Sequence, residues 1–219
     1  MDGLSKNSDD NRASRQGFQE GDKNKEEGSR LWQVFTKANA LDSQLIFEQV
    51  VTHHYKPMLS YGTKLTKDTD FVKDCIQDVL LNIWQKRQTL TEVKSPRFYL
   101  LRSLRNQILK ETNKHKWLKQ AEEVDDSYTL EVEFAIEQHI IAQETTTENQ
   151  LKIKALLAKI SKRQREAIYL RFYQDLEYTE IAEIMSVTTH SVVNLIYEAV
   201  KQLRQNWVFV PAFLSLLFS

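Results

Sequence analysis

Residues 94–119 place eight cations (Lys94, Arg97, Arg102, Arg105, Lys110, Lys114, Lys116 and Lys119) against Glu111 alone, with Tyr99 and Asn106 among them. Cations at this density neutralise phosphates, an asparagine amide offers a donor and an acceptor to a base edge, and an aromatic ring can take an unstacked base. Residues 152–171 carry seven further cations against Glu166, while 120–151 between them hold nine carboxylates and no Lys or Arg. The net charge of zero therefore hides two positive blocks, eight less one and seven less one, around a strip of nine negative groups. Two polyanion-binding modules joined by an acidic connector account for that segregation; solvated helix faces are the alternative.

The elements that must position these residues are helical. Of 219 residues only five are Gly and three are Pro, and four of the glycines lie before residue 30, too few turns for a many-stranded sheet. Residues 1–30 carry six basic and seven acidic groups with Leu4 and Phe18 as their large apolar side chains, which predicts a disordered tail. From Asp42 to Leu65 the apolar spacing predicts a helix that Pro57 kinks or splits. Over 70–87 the residues Phe71, Cys75, Ile76, Val79, Leu80, Ile83 and Trp84 form one apolar stripe that leaves Asp74, Gln77, Asp78 and Leu81 displaced from it. Ser95-Pro96 reads as a helix start, with Phe98, Leu101, Leu104, Ile108 and Leu109 inward. In the second half Ser161 and Gln164 fit a capping box, and a helix from Thr179 to Met185, a break at Ser186-Val187-Thr188 and a longer helix to about Asn206 form a helix-turn-helix pattern. The expected fold is all-α: two small helical domains joined by an acidic linker, the second containing the helix-turn-helix. Their expected bounds are 31–119 and 135–206, with the linker at 120–134 and an apolar tail at 207–219.

Two motifs resemble a known family. Lys73-Asp74-Cys75-Ile76-Gln77-Asp78-Val79-Leu80-Leu81-Asn82-Ile83-Trp84 and Phe98-Tyr99-Leu100-Leu101-Arg102-Ser103-Leu104-Arg105-Asn106 are similar to helices of extracytoplasmic-function sigma factors of bacterial RNA polymerase. Arg163-Gln164-Arg165-Glu166-Ala167-Ile168-Tyr169-Leu170-Arg171-Phe172 and Tyr178-Thr179-Glu180-Ile181-Ala182-Glu183-Ile184 resemble the DNA-reading domain of the same family. The resemblance covers about 42–206. It implies that the chain binds RNA polymerase core and promoter DNA, opens the −10 element and contacts the −35 element. Asp74, Gln77, Asp78 and Leu81 would face the polymerase; a solvated helix face is the other reading of the two carboxylates. Arg97, Tyr99, Arg102, Asn106, Lys110 and Lys114 would meet the −10 DNA. Within that set Asn106 could instead cap a helix end, Tyr99 could belong to the core, and Arg102, like its neighbour Arg105, could pair internally. Thr188 would cap the recognition helix, and Thr189, His190, Asn194 and Tyr197 would face the −35 duplex together with Arg163 and Arg165 of the preceding helix. The recognition helix departs from the family in having Val193 and Leu195 where cations are common.

Other chemistries are not supported. A lone Cys75 excludes a disulfide framework and cysteine-based metal sites, His53-His54 are adjacent and make a poor metal pair, and no Gly-rich phosphate loop occurs. The expectation is a non-enzymatic cytoplasmic protein with no cofactor, no metal, no small-molecule substrate and no secretory signal. The tail 207–219, interrupted by Pro211, would span about 20 Å as a helix against a hydrocarbon core of roughly 30 Å, so membrane insertion is not expected. Its nine large apolar side chains call for burial against the second domain or a partner, an anti-sigma factor being one candidate. A polymerase-independent helix-turn-helix regulator and a helical adaptor with no nucleic-acid role are the alternative functions.

Overall fold

The protein is described by a computed structural model over residues 23–39, 42–119 and 159–205, without side chains at 115–119 and 204–205. Helix α1 covers 23–37, followed by α2 (Ser43–Leu65), α3 (Thr69–Lys86), a 3-10 turn (Arg87–Thr89), α4 (Pro96–Lys119), α5 (Lys162–Phe172), α6 (Tyr178–Met185) and α7 (Thr189–Gln205). No strand occurs among the described residues, in keeping with the all-α expectation. The linker and the apolar tail lie outside the described residues, as do residues 1–22.

Helices α2, α3 and α4 pack on one another, and α1 closes the bundle with two fully buried rings, Trp32 and Phe35. Phe35 stacks on Phe47 at 5.1 Å and on Trp84 at 6.2 Å between ring centres, while the Trp32 Nε1–H donates to the Leu90 carbonyl at 3.2 Å. Residues 23–30, expected to belong to a disordered tail, are helical instead. Gly28, Trp32 and Phe35, at i, i+4 and i+7, turn one face of a charge-rich helix into the bundle. Gly28 lets α1 approach α2 closely: a Cβ there would meet His53 Nε2 at 2.7 Å, so the imidazole would have to shift.

Pro57 lies inside an unbroken α2. The α3 stripe is as expected at Cys75, Ile76, Val79 and Ile83, and gains Val72. Val72 is buried because Gly62 of α2 lets the two backbones approach: a Cβ at Gly62 would collide with Val72 Cγ1. Valine is stiff at χ1 and cannot swing aside. Gly62→Ala is expected to cost about 1–2 kcal/mol after its gain in helix propensity, and adding Val72→Ala to recover part of the loss, both read from thermal melts. Asp68 caps α3, accepting from the Phe71 N–H at 3.0 Å.

His54 is buried in α2 and bonded to the Gly28 backbone; burial first, then the His53 and Arg97 charges, push its pKa down to about 3. In the unfolded chain the imidazole titrates near about 6.5. Between those values the unfolded state binds a proton that the folded state refuses, so this contribution is whole above about pH 6.5 and declines as pH falls. His54→Gln is expected to flatten that decline in denaturant midpoints measured from about pH 7 to about pH 4.5. Cys75 is buried too, and burial raises its thiol pKa to about 11.

In the second half α5 and α6 both pack on α7. The capping box forms: Ser161 N–H donates to Gln164 Oε1 at 2.7 Å, and Gln164 N–H to Ser161 Oγ at 3.2 Å. Ser186 takes the left-handed conformation at φ 55° to end α6, and Thr188 Oγ1 accepts from the Ser191 N–H at 3.1 Å to start α7, so the expected tight break is the turn of a helix-turn-helix.

Candidate polymerase and nucleic-acid interfaces

Three surfaces carry the residues singled out in the sequence. On α3, Asp74, Gln77, Asp78 and Leu81 are all exposed, as i, i+3, i+4 and i+7 require for one helix face. Leu81 is 58% exposed, a large apolar side chain held in water one turn beyond the Asp78 carboxylate. Asp78 Oδ2 accepts from Gln107 Nε2 at 2.8 Å, which ties this face to α4.

On α4, Arg102, Asn106, Lys110 and Lys114 fall at successive i+4 positions and are exposed in one line. Because α4 continues to Lys119, Asn106 lies mid-helix, and the reading of it as a helix cap falls. Tyr99 turns the other way. It is half-buried with its ring 5.9 Å from Trp32, packed against the core and off the line of exposed cations. Arg97 is half-buried and donates to the Gln174 carbonyl at 3.4 Å.

On α7, Thr189, His190, Val193 and Asn194 are exposed, and Tyr197 is 62% exposed, while Val192, Ile196 and Ala199 hold the helix to its neighbours. Arg163 is exposed on α5 and Arg165 half-buried. Arg171 is used structurally: its guanidinium donates to the Leu176 carbonyl at 2.9 Å and lies 3.5 Å from Glu177. The second half thus presents a recognition helix that is more apolar and polar than cationic.

The sequence reading missed the surface between the halves. Glu166 looked like a lone carboxylate in a basic run, yet it is buried with Oε1 accepting from Arg105 Nε at 2.9 Å and from the Tyr61 hydroxyl at 2.7 Å. Burial works against the Arg105 charge, but Glu166 and Tyr61 together outweigh it and hold the guanidinium above its ordinary pKa. Burial, and then Glu166, push the Tyr61 hydroxyl pKa well up, so it remains a donor. Ser60 Oγ bonds the Tyr169 hydroxyl at 2.9 Å, and Arg102 pairs with Glu183 at 2.7 Å. The available signal was Glu166's position next to the apolar residues Ala167 and Ile168 on a short helix. Among the described residues no three potential ligands gather as a metal site, and no helix is long and apolar enough to cross a membrane.

Residues 50–118 match Sigma-70 region 2, and residues 150–203 match Sigma-70, region 4. Among solved structures the chain is similar to the sigma factor RpoE from Bartonella quintana, in a complex with the anti-sigma factor NepR. It shares 20% identity with that protein, over 73% of this chain and 95% of that one, at a TM-score of 0.51. It is also similar to CnrH, in a complex with the cytosolic domain of CnrY, at 16% identity over 81% of this chain and 96% of that one, with a TM-score of 0.48. At these identities the likeness to RpoE is one of fold. No curated protein matches the chain.

Proposed function

We infer the role of this chain from the family it belongs to, the sigma-70 factors, whose region 2 and region 4 it carries in that order: it is a sigma factor that binds RNA polymerase core and directs promoter recognition and transcription initiation. With those two regions on two small helical halves, it is of the extracytoplasmic-function type. The observation that carries the reading is the pair of matches, each falling on one helical half.

Within that role the exposed face of α3 docks on polymerase through Leu81, rimmed by Asp74, Gln77 and Asp78. The line Arg102, Asn106, Lys110 and Lys114 on α4 follows the −10 DNA: the cations take phosphates, and Asn106 holds an unstacked base by its edge. Unstacking costs a few kcal/mol, which such contacts offset. Thr189, His190, Asn194 and Tyr197 on α7 address the −35 duplex, with Arg163 and Arg165 supplying charge from α5. With few cations on α7, DNA shape carries part of that recognition. The chain is a specificity subunit in the cytoplasm and carries out no catalysis of its own. RpoE and CnrH were each solved with another protein bound, RpoE with an anti-sigma factor, and a partner of that kind is proposed for this chain as well.

Run-off transcription with purified core polymerase on a promoter library tests the reading. Transcripts that need both core and this chain are expected; dimeric binding to a palindrome without polymerase would point to an independent regulator instead. Asn106→Ala is expected to lower promoter opening by about ten- to a hundredfold, the loss of a bidentate base contact, while recruitment changes little. Permanganate reactivity of the −10 thymines measures it, and equal reactivity of variant and parent removes Asn106 from strand opening.

A further inference from the structure

We propose that Val193 is a base-reading residue of α7: its side chain packs on the C5-methyl group of a thymine in the major groove, and the chain selects its −35 duplex in part by this apolar contact. The inference rests on the reading of α7 as the −35 helix and names the base feature that the helix takes. Val193 is 43% exposed and Tyr197, one turn farther, 62%. A solvated helix face has no use for two large apolar side chains at i and i+4, whereas a groove-facing one does. Val192, Ile196 and Ala199 commit another side of α7 to its neighbours α5 and α6, and leave this side open to a groove.

The first turns of a recognition helix are the ones that meet base edges. Here Thr188 and Ser191 are engaged with each other: Thr188 Oγ1 accepts from the Ser191 N–H at 3.1 Å, and their hydroxyls bond at 2.8 Å. Thr189, His190, Val193 and Asn194 remain exposed, at i, i+1, i+4 and i+5. None is Lys or Arg, and neither type occurs from 189 to 200; Lys201, the first, lies 3.9 Å from Glu198. These turns therefore cannot make the commonest base-specific contact, a cation on guanine O6 and N7. For a valine the major groove offers one matching group, the thymine methyl, because the other edges present donors and acceptors that it cannot satisfy. Valine also suits the task. The helix fixes its χ1, so its methyl groups need little ordering on contact, and covering one methyl group adds about fourfold in affinity. Unlike a phosphate contact, this gain releases no counterions and does not fall with salt.

The test uses core polymerase with the full-length chain on a promoter recovered from the run-off library. Each thymine of its −35 element is replaced in turn by deoxyuridine, which removes the methyl group and keeps the base pair. At one position or two the replacement is expected to weaken binding about fourfold, by the same factor at about 50 and about 200 mM salt. Val193→Ala is expected to weaken binding to the thymine duplex by a similar factor and to leave binding to the deoxyuridine duplex as in the parent, so the two losses do not add. Val193→Lys is expected to raise the salt slope by about one and to abolish the response to deoxyuridine. Equal weakening of both duplexes by Val193→Ala would be a structural effect and overturns the inference. So does a −35 element without thymine, or one indifferent to every replacement. Loss of core binding by Val193→Ala, with the deoxyuridine response intact, would place this side chain against polymerase and overturns it as well. A failure of the sigma reading shows separately, as a library that yields no transcripts, and the inference falls with it.

Discussion

Asp78→Lys is expected to weaken binding to RNA polymerase core by about a hundredfold or more while the chain keeps its fold. The asymmetry follows from where Asp78 stands. It is exposed on α3, and within the chain its carboxylate meets Gln107 through one surface hydrogen bond, so losing it costs the fold only about 0.5–1 kcal/mol. Against polymerase the change is far larger. In the proposed interface Leu81, exposed in the free chain, is the apolar centre, and Asp74 and Asp78 on the same face set the sign of its rim. In the proposed complex, reversing that sign beside a leucine buried on docking places a cation where an anion is expected to meet the partner. Fluorescence anisotropy with labelled core gives the affinity and circular dichroism the fold. Undiminished binding with intact helicity moves the interface off α3.

Trp32→Ala is expected to destabilise the chain by about 3–5 kcal/mol, a large part of the stability of a domain of this size. The indole is fully buried between Phe35 and Tyr99, at 6.1 Å and 5.9 Å between ring centres, and its N–H reaches across the bundle to the Leu90 carbonyl. Removing it opens a cavity among rings too stiff to collapse and frees a carbonyl that had a partner. Trp32→Phe keeps much of the volume and gives up the hydrogen bond, so a loss of about 1–2 kcal/mol is expected. Urea denaturation followed by tyrosine fluorescence and circular dichroism distinguishes the two. A small effect from the alanine change would mean that α1 is an accessory to the bundle and not a part of it.

How far the sequence discloses the molecule depends on which physical signal each residue leaves. The α3 stripe was legible because burial repeats with the helical period, and the polar residues left off it are the ones exposed. The helix-turn-helix was legible because a capping serine, a three-residue break and a capping threonine are local chemistry. Charge was less legible. A window dominated by Lys, Glu and Asp hid the burial of Gly28 on α1, since two charged faces outvote one packed face in any count by composition. Arg105 and Asn106 are neighbours in one cationic run, yet one is buried against Glu166 and the other exposed. Helical phase separates them, but the partner of Arg105 comes from a helix about sixty residues away, and no local pattern names it. Tyr99 was less legible for a similar reason: its ring packs on Trp32, which comes from a helix far earlier in the chain.

Cys75 is the chain's one cysteine, held inside the bundle with its thiol pKa near 11. Peroxide and disulfide exchange act on accessible thiolate, and this thiol offers neither accessibility nor the charged form at neutral pH. A cell under oxidative stress therefore finds no reactive cysteine on this subunit, and a thiol-borne redox signal has to be sensed by another molecule and delivered to it by contact.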